Sequence, residues 1–369
     1  MEQSNLKEKA IVSLFSGCGG LDLGFRQAGF NVVWGNEYDK DMWQTYQSNH
    51  PDTFLDRRNI RHVLSVDIPD CFGIIGGPPC QSWSEAGTQK GINDDRGRLF
   101  LEYIRILQDK QPRFFLAENV SGMLHKKHEN ALRNIIAAFE EVGYVISYKL
   151  LNARHYNVPQ DRKRVIFIGY HIDLNKCFDF NALVPGSRML TLRDAIWNLR
   201  ESAIPAFSNN KTRGEDCLVA NHEYMVGGFS SIYMSRNRVR SWNEPSFTIQ
   251  AGGRHAPIHP QANKMIHIGK DKWIFDPQSP NPYQRLSVRE CARIQTFDDD
   301  FLFYYERLAA GYKMIGNAVP VNLSYALAKS IYQYLLAADS QNNPNQIKVH
   351  PITTSYWSSH YINLAGVAY

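Results

Sequence analysis

Short apolar runs alternate with segments of helical periodicity through residues 1–172. The runs AIVSLF, NVVWGNEY, CFGII, RFFLAENV and RVIFIGY have the length and composition of buried strands. The segments LDLGFRQAGF, DMWQTYQSNH and RGRLFLEYIRILQ lie between them with apolar residues at helical spacing. Such alternation constrains the fold strongly, because parallel strands need crossover connections. We therefore predict an α/β fold with a doubly wound, mostly parallel sheet that binds ligands at the carboxyl ends of its strands.

The alternation ends near residue 172, which predicts further domains. Residues 173–310 are rich in Asn, Arg, Pro and aromatic residues without a clear period, and we assign them to a smaller, irregular domain with its hinge. Residues 311–338 include the helical pattern VNLSYALAKSIYQYLLAA, which we expect to return to the first domain. Residues 339–369 form a tail of unknown role.

The composition limits the class of protein and its partners. With 43% hydrophobic and 21% charged residues, the chain has the composition of a globular protein. No apolar run approaches the ~20 residues that span a bilayer, so we expect no membrane association. The net charge of +5 is weak evidence for an acidic partner. The six cysteines show no CxxC pair and no metal-ligand spacing, which favours reduced thiols in the cytoplasm and no metal site.

A glycine-rich turn follows the first predicted strand. Phe15 opens the sequence FSGCGG, in which Gly17, Gly19 and Gly20 allow a ligand to approach the backbone and a helix N-terminus. Glu37 follows about twenty residues later, in a position to accept hydrogen bonds from ribose hydroxyls. The spacing G-x-G-G lacks the GxGxxG of dinucleotide sites. It therefore favours a nucleoside cofactor without a pyrophosphate, the alternative being a tight turn without a ligand.

A rigid corner, GGPPCQSWS, follows the run CFGII and has Cys80 at its tip. Its glycines and prolines prevent regular structure, so the corner presents the thiol in a defined place. A thiolate is a strong carbon nucleophile when nearby dipoles or cations lower its pKa. The pattern favours a catalytic Cys80, and a structural cysteine is the alternative.

Two further motifs lie at strand ends. Glu118, in ENV, leaves a buried strand where a carboxyl with a raised pKa would serve as a proton donor, although loop capping explains it equally well. In QDRKR, period two places Arg162 and Arg164 on the same side of the strand. Paired guanidinium groups suit phosphate or base oxygens, and a solvated strand start is the alternative.

Together and in this order, the motifs resemble those of the cytosine-C5 DNA methyltransferases. FSGCGGLDLGF resembles the S-adenosylmethionine loop, NEYD the ribose-binding acid, GGPPCQSWS the nucleophile loop, and ENV and QDRKR the target-cytosine motifs. RLSVRECARIQTF resembles the segment that braces the recognition domain, and GNAVP the last cofactor motif. The resemblance implies a Rossmann-like methyltransferase sheet with a smaller irregular target-recognition domain.

The resemblance also implies a role for each site residue. Cys80 would add to C6 of cytosine, Glu118 would protonate or hydrogen-bond N3, and Arg162 and Arg164 would hold the O2 edge. The cofactor would be S-adenosylmethionine, bound by Phe15, Gly17, Gly19, Gly20, Glu37, Asn59, Ile60, Pro79, Leu99, Asn317 and Val319. Asn59 stands where the family commonly has an acid, and Asp56 is the alternative if the alignment is shifted.

The segment after Cys80 resembles the family's closing loop, with Gly87, Gly91 and Gly97 as hinges. Methyltransferases rotate the target base out of the duplex, and closure over it would exclude water. The DNA-facing residues of this loop would be Gln81, Ser84 and Arg96.

The irregular region carries a candidate recognition segment. Arg236, Arg238 and Arg240 alternate, so an extended segment aims all three side chains the same way, toward guanines or toward phosphates. SRNRVRSWNEPSFTIQAGGR resembles the recognition segment of the GGCC-specific modification enzymes of the HaeIII kind.

The resemblance predicts methylation of the inner cytosine of GGCC in double-stranded DNA. The enzyme would be monomeric, would lie in the bacterial cytoplasm with the DNA, and would protect that DNA from a restriction endonuclease of the same specificity. A tRNA cytosine-C5 methyltransferase and a catalytically silent DNA-binding regulator are the alternatives.

Overall fold

The fold comes from a computed structural model that describes residues 9–79 and 99–341, without the side chains of residues 336–341. Four predicted site residues lie outside the described residues, namely Cys80, Gln81, Ser84 and Arg96, as do the three predicted glycine hinges of the loop. Within the described ranges, no helix is both long and apolar enough to cross a bilayer.

The described ranges contain eleven strands and eight α-helices, besides short 3-10 turns. The strands are β1 Ala10–Leu14, β2 Asn31–Asn36, β3 Phe54–Asp56, β4 Gly73–Gly76, β5 Phe114–Val120, β6 Tyr144–Asn152, β7 Lys163–His171, β8 Ile204–Pro205, β9 Glu223–Tyr224, β10 Ile266–Gly269 and β11 Lys272–Ile274. The helices are α1 Gly20–Gln27, α2 Lys40–Asn49, α3 Leu99–Lys110, α4 Glu129–Glu141, α5 Leu192–Ile196, α6 Val288–Ile294, α7 Leu308–Asn317 and α8 Val321–Gln341.

Strands β1 to β7 form one sheet in the order β3-β2-β1-β4-β5-β7-β6. Neighbouring strands are parallel from β3 to β5, and β7 is antiparallel to both β5 and β6. The predicted doubly wound, mostly parallel sheet is therefore confirmed. Strand β6 was not predicted, because as an edge strand it is only partly buried and has no continuous apolar run.

Aromatic residues fill the core between the sheet and helices α3 and α4. Phe115 of β5 stacks on Phe139 of α4 with ring centroids 4.4 Å apart. Tyr103 of α3 donates a hydrogen bond of 2.9 Å from its buried hydroxyl to the carbonyl of Leu116. These contacts hold the strands whose carboxyl ends carry the predicted motifs.

The region after residue 172 packs into two other clusters. Buried residues of α5, α6 and α7 share a cluster with Cys18 of the glycine-rich turn and Met42 of α2. A small separate core joins Tyr233, Val239, Ile258, Ala262 and Met265. By contacts, residues up to Tyr332 form one compact unit and a second unit begins at Gln333.

Candidate active site

Four parallel strands bring the predicted motifs to one edge of the sheet. Leu14 of β1 is paired with Asn36 of β2 and with Gly76 of β4, and Gly76 is paired with Ala117 of β5. The residues that follow these strand ends are therefore neighbours at the carboxyl edge. The strand order also reverses between β1 and β4, which is where doubly wound sheets bind ligands.

The glycine-rich turn has a strained backbone. Phe15 has φ of 56°, a left-handed conformation that is rare for a bulky residue and is often found at functional sites. Gly17 and Gly19 have φ of 58° and 91°. A Cβ at Gly19 would lie 2.0 Å from Nε2 of His50, whereas a Cβ at Gly17 would meet no atom within 4 Å. The turn thus packs on His50 at Gly19 and leaves open space at Gly17.

Glu37 joins this turn to the end of β2. Its carboxylate accepts hydrogen bonds from the backbone N–H groups of Gly17 at 2.8 Å and Asp39 at 2.7 Å. Burial raises the pKa of Glu37 above its ordinary value, although both hydrogen bonds oppose the shift. Each carboxylate oxygen keeps acceptor capacity for a ribose hydroxyl. The neighbouring Tyr38 is 67% exposed.

The rest of the predicted cofactor pocket is divided among several elements. A Cβ at Gly20 would lie 2.7 Å from the carbonyl oxygen of Val319, so the start of α1 packs on GNAVP, the predicted last cofactor motif. Ile60 is buried in the cluster against which Phe15 and Leu99 pack. Asn317 is exposed at the end of α7.

The structure places Asn59 outside the strands of the sheet. Strand β3 ends at Asp56, three residues before Asn59, which lies instead at the start of a short 3-10 turn. The Asn59 side chain accepts a hydrogen bond from the backbone N–H of Arg61. The alternative residue, Asp56, is paired at 2.6 Å with Arg58, and this side-chain contact is the main force that lowers the pKa of the carboxyl against the effect of burial.

A buried carboxyl group beneath the glycine-rich turn was missed by the sequence analysis. Asp22 of α1 accepts hydrogen bonds of 2.6 Å from the hydroxyls of Ser13 and Tyr46. Burial raises the pKa of Asp22 to about 6. The sequence signal was an acid among the apolar residues of LDLGF, where an unpaired charge would be costly. This network ties β1, α1 and α2 together behind the turn.

Glu118 and Arg164 form an ion pair at the end of β5. Arg164 Nε lies 2.7 Å from Glu118 Oε1, and both side chains are about nine-tenths buried, with exposures of 12% and 11%. The register pairs Val120 with Arg164, so the two charged side chains are diagonal neighbours across the strands. The arrangement fixes the direction of the carboxylate.

The loop that leads to Cys80 runs beside this carboxylate. A Cβ at Gly77 would lie 3.3 Å from Glu118 Oε2, so glycine lets the loop pass close to the acid. The Asn119 side-chain amide donates a long hydrogen bond of 3.4 Å to the Pro78 carbonyl. The sequence analysis did not assign this contact with the loop to Asn119. Pro79 is the last described residue of the loop.

Arg162 does not share the position of Arg164. It is 1% exposed, and its guanidinium donates to the carbonyls of Ile249 at 3.0 Å, Gly316 at 2.8 Å and Ala318 at 3.0 Å. Burial lowers the pKa of Arg162 below its ordinary value. The expected pair of guanidinium groups is thus divided, with Arg164 beside Glu118 and Arg162 bound to distant backbone.

The three alternating arginines also differ from one another, contrary to the expectation that they point the same way. Arg236 is exposed, whereas Arg238 is 7% exposed and donates to the carbonyls of Tyr233 and Ile232. Arg240 pairs with Asp161 and Glu244. The segment is not a regular strand, so period two does not govern where its side chains point.

Comparisons with solved structures show the same fold. A DNA modification methyltransferase encoded in an Escherichia coli prophage superposes with a TM-score of 0.69 at 23% identity, covering 89% of this chain and 99% of that one. The DNMT2 mutant of Spodoptera frugiperda superposes with a TM-score of 0.58 at 18% identity, covering 88% and 99%.

Comparisons of sequence show the family. The model of the family described as C-5 cytosine-specific DNA methylase matches residues 10–333. Type II methyltransferase M.FnuDI of Fusobacterium nucleatum is 55% identical over 326 residues, which cover 88% of this chain and 94% of that protein. Type II methyltransferase M.MthTI of Methanothermobacter thermautotrophicus is 56% identical over 321 residues, covering 87% and 96%.

The donor of the methyl group in this family is S-adenosylmethionine, and the residues present fit it. The open backbone at Gly17 would admit the ligand, and the carboxylate of Glu37 would accept hydrogen bonds from its ribose. The chain therefore belongs to the C-5 cytosine-specific DNA methylase family and is a DNA (cytosine-5-)-methyltransferase that uses S-adenosylmethionine.

Proposed function

We propose that the chain methylates the inner cytosine of GGCC in duplex DNA as the modification enzyme of a type II restriction–modification system. The observation that carries the chemical part is the Glu118–Arg164 ion pair beside Gly77, three residues before Cys80 in the sequence. A fixed acid and cation next to a nucleophile suit addition to a pyrimidine ring.

In this mechanism the Cys80 thiolate forms a bond to C6 of the cytosine. The electron pair of the C5=C6 bond becomes delocalised over C5 and, through C4, over N3. A proton or hydrogen bond from Glu118 at N3 stabilises this negative charge. Arg164, held by the same carboxylate, binds the O2 edge. Bound S-adenosylmethionine would supply an electrophilic methyl group to C5 and would leave as S-adenosylhomocysteine. Water then takes the C5 proton, the C5=C6 double bond re-forms with expulsion of the Cys80 thiolate, and any proton on N3 returns to Glu118.

The target base must leave the duplex for this reaction, because the sulfur approaches perpendicular to the ring. Rotating a base out costs a few kcal/mol of stacking and pairing. We assign the segment with Gln81, Ser84 and Arg96 to closing over the extruded base and contacting the DNA, as its resemblance to the family loop implies.

A cluster of cations supports the recognition part. Arg236, Arg254 and His255 are exposed, whereas Arg238 and Arg285 are buried and donate to backbone carbonyls. Burial lowers the pKa of His255, and the charges of these four arginines lower it further. None of the ion pairs between described residues includes any of the four arginines. Such an unneutralised cluster suits polyanionic DNA.

The GGCC site rests on the sequence SRNRVRSWNEPSFTIQAGGR and on the chemistry of arginine. A guanidinium pairs with O6 and N7 of guanine, and each good pair discriminates by ~1–3 kcal/mol. The similarity to proteins named Type II methyltransferase supports pairing with a restriction endonuclease of the same specificity. A monomer in the bacterial cytoplasm is part of the same proposal.

Bisulfite sequencing of a plasmid that encodes and expresses the chain tests the base and the site together. We expect protected cytosines at the inner position of GGCC and nowhere else. Protection in another sequence would contradict the GGCC assignment. Duplex DNA and tRNA incubated with labelled cofactor should show transfer to the DNA alone, and DNA binding without any transfer would indicate the regulator.

The covalent step has its own test. Duplex DNA with 5-fluorocytosine at the target should remain attached to the protein after denaturation, because fluorine cannot leave as the C5 proton does. Cys80→Ser should bind DNA but neither attach nor methylate. An active serine variant would rule out the proposed nucleophile.

A further inference from the structure

Asp161 lies just before β7, the catalytic strand, which carries Arg164. It contacts residues that follow shortly after the three alternating arginines in the sequence. Its backbone N–H donates to the carbonyl of Ser246 at 2.9 Å, and its own carbonyl accepts a hydrogen bond of 2.5 Å from the Thr248 hydroxyl. Two residues further on, β7 begins, and Arg164 on that strand holds Glu118. Asp161 therefore connects the catalytic strand to residues 246–248, and we call this connection the joint.

Ion pairs extend this joint on both sides of the Asp161 carboxylate. One oxygen pairs with Arg154 at 3.0 Å, within the same part of the chain. The other pairs with Arg240 at 3.3 Å, across 79 residues of sequence. One carboxylate thus contacts an arginine next to β6 and an arginine of the recognition segment, which we define as residues 236–240.

The guanidinium group of Arg240 is bound by other side chains of the protein. Besides Asp161, it pairs with Glu244 at 3.0 Å and lies over the ring of Phe247, 4.2 Å from the centroid. Its side chain is 27% exposed, and two carboxylates neutralise its charge. Arg236, four residues earlier, is exposed and has no ion pair among the described residues. The two arginines therefore differ in what they have available for DNA.

We propose that Arg240 is a positioning residue that holds the recognition segment to the catalytic strand through Asp161, and that it reads neither a base nor a phosphate. The proposal rests on the proposed function of this chain. A guanidinium suits this task because its planar fork binds two carboxylates at once and stacks on an aromatic ring. Movement of this joint shifts the target cytosine relative to Glu118, and a shift of about 1 Å can slow an enzymatic reaction by roughly 10²-fold.

The test compares three measurements on the full-length protein with GGCC duplex DNA. They are the single-turnover rate of methyl transfer, the sequence preference, and the slope of log affinity against log salt. Arg240→Ala should slow transfer by about tenfold or more. It should leave the salt slope and the preferred sequence unchanged. Arg236→Ala serves as the comparison, because loss of a phosphate contact reduces the salt slope by about one.

Matched variants separate positioning from a general loss of structure. Arg240→Lys keeps the charge without the fork, so it should recover part of the rate. Arg133→Ala removes an exposed ion pair on α4 that has no contact with Asp161 and should retain the wild-type rate. Combining Arg240→Ala with Asp161→Asn should slow the reaction by clearly less than the product of the two single effects, since both variants break the Arg240–Asp161 ion pair.

Three results would overturn the proposal. They are a reduced salt slope for Arg240→Ala, a relaxed preference at one base pair, and rate losses that add in the double variant. If the wild-type protein methylates no DNA at all, the proposed function fails instead, and the two failures are distinguishable.

Discussion

At the residue scale, neighbours decide what each charged side chain does. Arg162 and Arg164 are two residues apart, yet one binds three backbone carbonyls and the other binds Glu118. Arg238 and Arg240 differ in the same way. Residue type alone therefore does not assign a catalytic or recognition role.

Arg164→Ala should slow formation of the covalent complex with 5-fluorocytosine DNA by roughly 10²–10³-fold, as loss of one preorganised donor commonly does. The reason is that Glu118 loses the cation that fixes its direction. Arg164→Lys should recover part of the rate, and DNA affinity should change less than the rate does. Wild-type trapping by Arg164→Ala would show that Glu118 needs no partner.

Asp22 should make the free energy of unfolding depend on pH. Its folded pKa of about 6 exceeds the ordinary value of 3.8, so the folded state binds the proton more tightly. Its contribution is full below about pH 4 and is lost as the pH rises through about 6, in total on the order of 3 kcal/mol. The difference in unfolding free energy between wild type and Asp22→Asn, measured in urea, should fall over this window. A constant difference would contradict the assigned pKa.

At the element scale, helix α1 depends on close contact with the first turn of α8. A Cβ at Gly24 would lie 2.5 Å from Cβ of Ser324 and 2.6 Å from the backbone nitrogen of Tyr325. The Ser324 hydroxyl donates to the carbonyl of Leu21 at 2.5 Å. Glycine at position 24 is therefore a packing requirement, and this contact holds the glycine-rich turn from behind.

Gly24→Ala should destabilise the protein, because overpacking costs ~1–3 kcal/mol. Helix propensity by itself favours alanine by about 1 kcal/mol, so a net loss would show that the contact outweighs it. Gly228→Ala is the control, since a Cβ there meets no atom within 4 Å, and we expect a change within about 0.5 kcal/mol. Thermal unfolding of both variants gives the comparison, and equal stability would contradict the packing argument.

At the scale of the whole molecule, buried polar side chains join segments that are distant in sequence. Gln160 donates to Gln295 at 2.7 Å and accepts from the N–H of Ile249 at 2.8 Å. Gln295 in turn donates to the carbonyls of Ile315 and Ala318. With Arg162, these residues connect the start of β7 to Ile249 in the irregular region and to the last cofactor motif, GNAVP.

Arg162→Met should lower the free energy of unfolding by at least about 2 kcal/mol, because each buried carbonyl left without a donor costs ~1–3 kcal/mol. Arg133→Ala, which removes an exposed helical ion pair, should change it by no more than about 0.5 kcal/mol. Urea unfolding measures both. Wild-type stability of Arg162→Met would mean that the hydrogen bonds of Arg162 contribute little to the free energy of unfolding.

The sequence by itself determined most of the sheet, though not edge strand β6, and the edge of the sheet at which the motifs meet. Local apolar periodicity specifies strands and helices, and motif residues directly after parallel strands must share one edge of the sheet. Tertiary structure alone decided which charged groups face that site. The partners of Arg162 lie 87 to 156 residues away, and Arg240 meets Asp161 across 79. Contacts at that separation leave no period in the local sequence, so only the folded chain distinguishes the arginine available to substrate from the arginine that holds the protein together.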